Sequence, residues 1–230
     1  IFGTTDLHFH KYRLQSKVIL TVTILLIFAS GTDFYFYEFG RTEWTDLSEK
    51  ERILASAFQS VTPRTAGFNT VDLNRMSEPS RLIMILLMLI GGSPGSTAGG
   101  FKTTTLAVLF LTSFAVFFRK EDDSVSEEEF RQDSEECSDH FVFVYVPVSS
   151  GGVVISCVDQ VPLMGALFET SSAIGTVGLS LGLTPQLESC FPDMILILLI
   201  VLGKGRWVDT DFCGCIWTPF YEIKITTGKK

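Results

Sequence analysis

Two stretches of this chain repeat one layout, and a repeat restricts the fold more than any other feature. Thr65-Ala-Gly67 is answered by Thr176-Val-Gly178, and the apolar run 81–91 by 193–203, at offsets that agree to within one residue. Low complexity alone does not place two separate features at one spacing. In the first copy a short helical pattern, 51–60, passes through Pro63 into Thr65-x-Gly67. Apolar segments begin at Val18 before it and at Leu82 behind it. In the second copy 166–170 leads into Gly175-Thr-Val-Gly178. Helix, short helix, Thr-x-Gly loop, helix is the layout of a pore-loop unit, in which backbone carbonyls replace the water shell of an ion. The expected filter is the backbone of Thr65, Ala66, Gly67 and Phe68 together with Gly175, Thr176, Val177 and Gly178. Threonine adds a hydroxyl oxygen there, and glycine admits backbone angles that other residues resist.

Composition agrees with a bilayer as solvent. The 230 residues are 46% hydrophobic, with 20 Phe and a mean hydropathy of +0.32, more apolar than an ordinary soluble domain. The net charge of −8 gives no guide to partners, because nine acids crowd between Glu121 and Glu136. Five cysteines show no disulfide framework, and Cys213-x-Cys215 lacks the further ligands that a closed metal site needs. No cofactor, resident metal, nucleic-acid partner or catalytic residue is expected. The first residues carry no cleavage site for a secretory leader.

Residues 18–31, extended by the aromatics 34–37, are about the 20 residues a spanning helix needs. Lys11, Arg13 and Lys17 mark the near end as cytoplasmic, as do Arg119 and Lys120, while the aromatics read as an interfacial belt. The loops at 38–50 and 70–80 then face outside, although Arg41, Lys50, Arg52, Arg75 and Arg81 run against that bias. Ser48 followed by Glu51 predicts a capping box at the start of the short helix.

Residues 82–90 and 106–118 are each too short to span alone, and a Gly-rich break, 91–100, joins them. Non-helical backbone at membrane depth is tolerated only where it is buried in protein or lines water, and broken helices there are functional in transporters. Gly91, Gly92, Gly95, Gly99 and Gly100 therefore read as a flexible gate below the filter, with Lys102 at its edge. Two other readings exist. A phosphate-cradling loop needs Gly-Lys adjacent after a short strand, and here Phe101 intervenes after an apolar run. A plain Gly-rich linker between two buried helices is the second.

Two stretches break the pattern. Taken as written, 126–149 is an acidic linker followed by the strand-like alternation 141–147, where the repeat calls for a spanning helix before Val161. A one-base shift with permitted codons turns 136–149 into an apolar run, and does the same for 206–215. Both read as compensated frame errors.

The motifs 62–70, 91–103 and 168–185 resemble the Trk/Ktr family of bacterial potassium transporters, nearest the Ktr-type ion-translocating subunit. The resemblance implies a K+-channel-like fold of four helix–pore-loop–helix units, of which this chain matches the last two. Residues 8–120 would be the third unit with its gate, 121–151 an anomalous acidic stretch, 152–205 a partial fourth unit and 206–230 an anomalous tail. It also implies that Lys204 is the basic residue projecting at the pore below the filter. Other implications are potassium transport across the cytoplasmic membrane, with Na+ a second candidate ion, a cytoplasmic nucleotide-binding regulatory subunit, and a homodimer of the full-length subunit. With two loops of four, half of the filter is expected to be missing. The alternative is a non-transporting membrane fragment or membrane-anchored interaction protein.

Overall fold

The structure, a computed structural model, describes residues 14–93, 96, 98–107, 109–110, 127–187 and 190–204. Those residues form helices, with one isolated bridge and no strand. Helix α1 (Leu14–Asp33) runs into a π-helical turn, Phe34–Glu38. Helix α2 (Glu49–Val61) is the first short helix, and α3 (Glu78–Leu89) starts with Pro79 in its first turn, where a missing N–H costs nothing. Helix α4 spans Glu127–Asp159, α5 (Leu163–Ile174) is the second short helix, and α6 is Cys190–Lys204. The segment 16–38 and the end of α4, 142–159, are both long and apolar enough to cross a membrane.

Helix α5 is the hub. It packs against α3, α4 and α6, while α2 packs on α1 and its π turn. The core runs from Phe34, Phe39 and Trp44 through Met84 and Met88 to Phe168 and Ile174. Phe39 and Trp44 meet edge to face at 5.2 Å, and Arg75 stacks over the Trp44 ring at 4.7 Å. The predicted capping box is present: the Glu51 N–H donates to Ser48 Oγ, and the Ser48 N–H donates to Glu51 Oε2 at 2.8 Å. The Ser48 N–H, and then its hydroxyl, hold the Glu51 carboxyl below its ordinary pKa.

Glu38 ends the π turn with no exposed surface. It accepts from Trp44 Nε1 at 2.9 Å, Ser77 Oγ at 2.6 Å, Ser80 Oγ at 2.7 Å and the Ser77 N–H at 3.2 Å. A buried carboxylate is tolerated only with such partners, and here it ties the end of α1 to the start of α3. The arginines on these loops are also engaged. Arg41 pairs with Glu43 at 3.0 Å, Arg75 pairs with Asp46 and donates to the Glu43 carbonyl, and Arg81 donates to the Asn74 carbonyl at 2.6 Å.

The strand-like alternation at 141–147 is not a strand. These residues lie within α4, with Pro147 inside the helix. Val144, Val148, Gly151, Gly152 and Ile155 are the buried positions, a three-to-four-residue rhythm rather than an alternating one. A single strand here would have no partner for its backbone groups, whereas a helix satisfies them internally and loses one bond at Pro147.

Candidate functional site

Both short helices end by drawing the next N–H groups back to their last carbonyls. After α2, the N–H groups of Ala66 and Gly67 return to the Thr62 carbonyl at 3.2 and 3.1 Å. After α5, the Thr176 N–H returns to Ala173 O at 3.1 Å and the Val177 N–H to Ser172 O at 2.9 Å. Each loop then carries two left-handed residues. Thr65 has φ 69° and Gly67 φ 71°, and Thr176 has φ 52° and Gly178 φ 88°. Among the described residues the only other non-glycine with positive φ is Gln160. A β-branched residue there is a strong outlier, of a kind that concentrates at functional sites. Left-handed residues at alternate positions flip every second peptide plane, so successive carbonyls can face one side instead of alternating as in a strand.

The two loops touch. A side chain at Gly67 would collide with the Val177 carbonyl oxygen, and Gly178 Cα lies 3.7 Å from the same point. At Gly178 itself nothing lies within 4 Å, so only its backbone conformation calls for glycine. Phe68 is 71% exposed, and its carbonyl accepts a 2.6 Å bond from Thr62 Oγ1, so one lone pair of that filter candidate is turned back to α2. Val177 is buried, as are Ile174 and Gly175.

The Gly-rich segment is a closed excursion. Helix α3 stops at Leu89, Ile90 bridges Phe101, and Gly91 N–H donates to Phe101 O at 2.9 Å while Phe101 N–H donates to Leu89 O at 3.0 Å. The chain is helical again at 103–107. Gly91 lies against the Gly99 carbonyl, and Gly100 is left-handed at φ 72°. Gly99 sits on the end of α5: a side chain there would strike Ile174 O, Gly175 and Gly203 O. Its N–H donates to the Thr176 hydroxyl at 3.1 Å. Lys102, 5% exposed, donates from Nζ to the carbonyls of Ala98 at 2.8 Å and Ser96 at 3.4 Å. The element before this segment is a helix, and a phosphate cradle requires a strand there. Gly92 lies within the excursion, and Gly95 lies outside the described residues.

Gly203 in α6 has no room for a side chain against Ile174, and Lys204, the last residue of α6, is exposed. Residues 206–230, with Cys213 and Cys215, lie outside the described residues, as do Lys11, Arg13, Arg119 and Lys120. The structure thus brings together Gly67, Val177 and Gly178, and joins Thr176 to Gly99.

Two residues that serve these loops escaped the sequence reading. Thr62 opens the motif 62–70, but nothing local shows that its hydroxyl turns back to the Phe68 carbonyl. Glu169 is a lone carboxylate in an apolar short helix; its cost when buried was the available signal, but its partners come from a later loop. It accepts from Ser180 Oγ, the Leu181 N–H and Thr184 Oγ1.

The chain is 34% identical over 200 residues to the Ktr system potassium uptake protein B of Bacillus subtilis, covering 84% of this chain and 44% of that protein. It is also 34% identical over 199 residues to the potassium/sodium uptake protein NtpJ of Enterococcus hirae, again with 84% and 44% coverage. The fold resembles the crystal structure of the potassium transporter TrkH from Vibrio parahaemolyticus, with a TM-score of 0.60 at 15% identity over 90% of this chain and 44% of that one. The chain therefore spans less than half the length of these relatives. The TrkH family model, described as cation transport protein, matches residues 11–209, and the chain belongs to that family.

Proposed function

We propose that this chain provides two pore-loop units of a potassium-translocating subunit in the cytoplasmic membrane. The observation that carries this reading is the shared backbone of the two loops: left-handed Thr and Gly at Thr65/Gly67 and again at Thr176/Gly178. Carbonyls of 65–68 and 175–178 take the place of water around a K+ ion, and no covalent chemistry or cofactor is needed. Na+ is a second candidate cargo, as the name of the Enterococcus relative says of that protein. The helices at 16–38 and 142–159 cross the bilayer, with 38–50 and 70–80 outside. A multi-pass, K+-channel-like subunit of four units then holds these as its third and fourth, and it works as a homodimer with a cytoplasmic nucleotide-binding regulator.

The Gly-rich excursion acts as the gate. It lies at the inner end of α5 with Gly99 bonded to Thr176, so an ion leaving the filter meets it next. Lys102 holds the excursion closed through its own carbonyls, which meets the cost of a buried ammonium at this depth. Glycines at 91, 92, 99 and 100 let the segment swing.

Rescue of cells deficient in potassium uptake tests the reading. A four-unit subunit carrying these residues as its second half restores growth at low potassium. Two loops alone cannot enclose an ion, so the present chain does not. No rescue by the four-unit form, with normal insertion, would leave the non-transporting membrane-anchored reading standing.

A further inference from the structure

The two loops are anchored differently, and the difference centres on Glu169. This residue lies on α5, two turns before Thr176, and is 6% exposed. A carboxylate in such a place stands only if its oxygens are satisfied. Its partners all come from the segment just beyond Gly178. Ser180 Oγ donates to Oε1 at 2.6 Å, the Leu181 N–H donates to Oε1 at 3.0 Å, and Thr184 Oγ1 donates to Oε2 at 3.2 Å. Ser180 in turn accepts from the Gly182 N–H at 2.9 Å, which closes a small network around the left-handed Gly182. Gly178, between Thr176 and this network, has no neighbour within 4 Å of its missing side chain. Gly178 is exposed, with open space where a side chain would stand, and the hydrogen bonds to Glu169 fix the chain on its outer side. The first loop has no carboxylate in that place: the matching position is Phe58, and that loop is held by Thr62, by contact of Gly67 with Val177 and, beyond it, by Gln59 Nε2 donating to Met76 Sδ at 3.6 Å.

We infer that Glu169 is a positioning residue for ion selection: it fixes the outer end of the 175–178 segment and so sets the spacing of its carbonyls. This rests on the filter reading proposed above. Discrimination between two cations of equal charge depends on how firmly carbonyls are held around the ion, or on how many of them face it, and a loosened segment loses both. Because two of the three bonds converge on Oε1, a neutral amide oxygen at the same place accepts both. A charged-residue role and an anchoring role are thereby separable.

The test compares Glu169→Ala, Glu169→Gln and Gly178→Ala in a four-unit subunit carrying this chain, with uptake measured against K+ and Na+ at matched membrane abundance. Glu169→Ala is expected to lower K+-over-Na+ preference about tenfold, the scale of losing hydrogen bonds to a charged acceptor. Its KM for K+ rises more than its maximal rate falls. Glu169→Gln retains most of the preference. Loss of selectivity in Glu169→Gln equal to that in Glu169→Ala contradicts the anchor, because the charge would then be the agent. Reduced abundance or rate in Glu169→Ala with unchanged preference contradicts it as well, since that is the effect of a merely structural contact. Gly178→Ala separates the two levels. If it shifts preference while Glu169→Ala does not, the anchor fails and the filter stands; if neither does, both fail.

Discussion

Helices α2 and α5 hold the same place in the repeat and end in loops of the same conformation, yet their surroundings are opposites. Helix α5 buries nine of its residues, from Gly165 to Ile174, among α3, α4 and α6. Helix α2 buries Ser56, Gln59 and Ser60 and leaves Leu54 69% exposed, with Ile53 and Val61 also bare. The left-handed Thr and Gly recur all the same. Loop conformation is therefore set locally, by the helix-end carbonyls that capture the next N–H groups and by glycine at the position that needs it. Burial is set by what the rest of the fold puts around each helix.

The largest expected effect uses the one place where the loops meet. Gly67→Ala adds both a left-handed penalty of about 1–2 kcal/mol and a collision with the Val177 carbonyl. K+-over-Na+ preference in a four-unit subunit should fall by more than about tenfold, the equivalent of the conformational term alone. Gly178→Ala adds the conformational term without the collision, so its loss should be smaller. Equal losses would mean that contact between the loops does not matter.

Next comes the excursion, which touches α5 and α6. Removing residues 93–98 should raise potassium flux severalfold and leave the K+/Na+ ratio largely intact. Flux falling to nothing with normal insertion would make the segment structural.

Thr62→Val removes the bond to the Phe68 carbonyl, a loss of about 1 kcal/mol. Selectivity should shift by less than for Glu169→Ala, because one side-chain bond is lost rather than three, and the Ala66 and Gly67 N–H groups keep their bonds to the Thr62 carbonyl. The smallest effect is Ser48→Ala, which removes the α2 cap and costs about 1 kcal/mol of helix stability without touching the loop. The Glu51 side of that cap is pH-dependent. Its carboxyl titrates lower in the folded chain, so its contribution is present above the unfolded value and fades as pH falls through the folded one. The difference in thermal stability between the parent and Glu51→Ala should narrow on acidification through that window.

The loops and the excursion were legible because glycine, threonine and proline mark backbone demands that are local. Thr65, Gly67, Thr176 and Gly178 carry their conformation in three residues of sequence. Helix α4 was half legible: the repeat called for a helix before Val161, as found, while valines and aromatics in alternation favour a strand until one asks what the strand would pair with. Glu38 and Glu169 are carboxylates whose tasks no local pattern shows. Trp44 is near Glu38 in sequence, but Ser77 and Ser80 are 39 and 42 residues on, and the partners of Glu169 lie beyond the loop it supports. The bareness of α2 belongs to neighbours rather than to its own pattern.

The central claim is that the two Thr-x-Gly loops line one ion path. Anomalous scattering from Rb+ bound to a four-unit subunit carrying this chain tests it most directly. The expected result is ion density at coordination distance from carbonyls of both 65–68 and 175–178, lost when Na+ alone is present. Rb+ held elsewhere, or by one loop without the other, would contradict it.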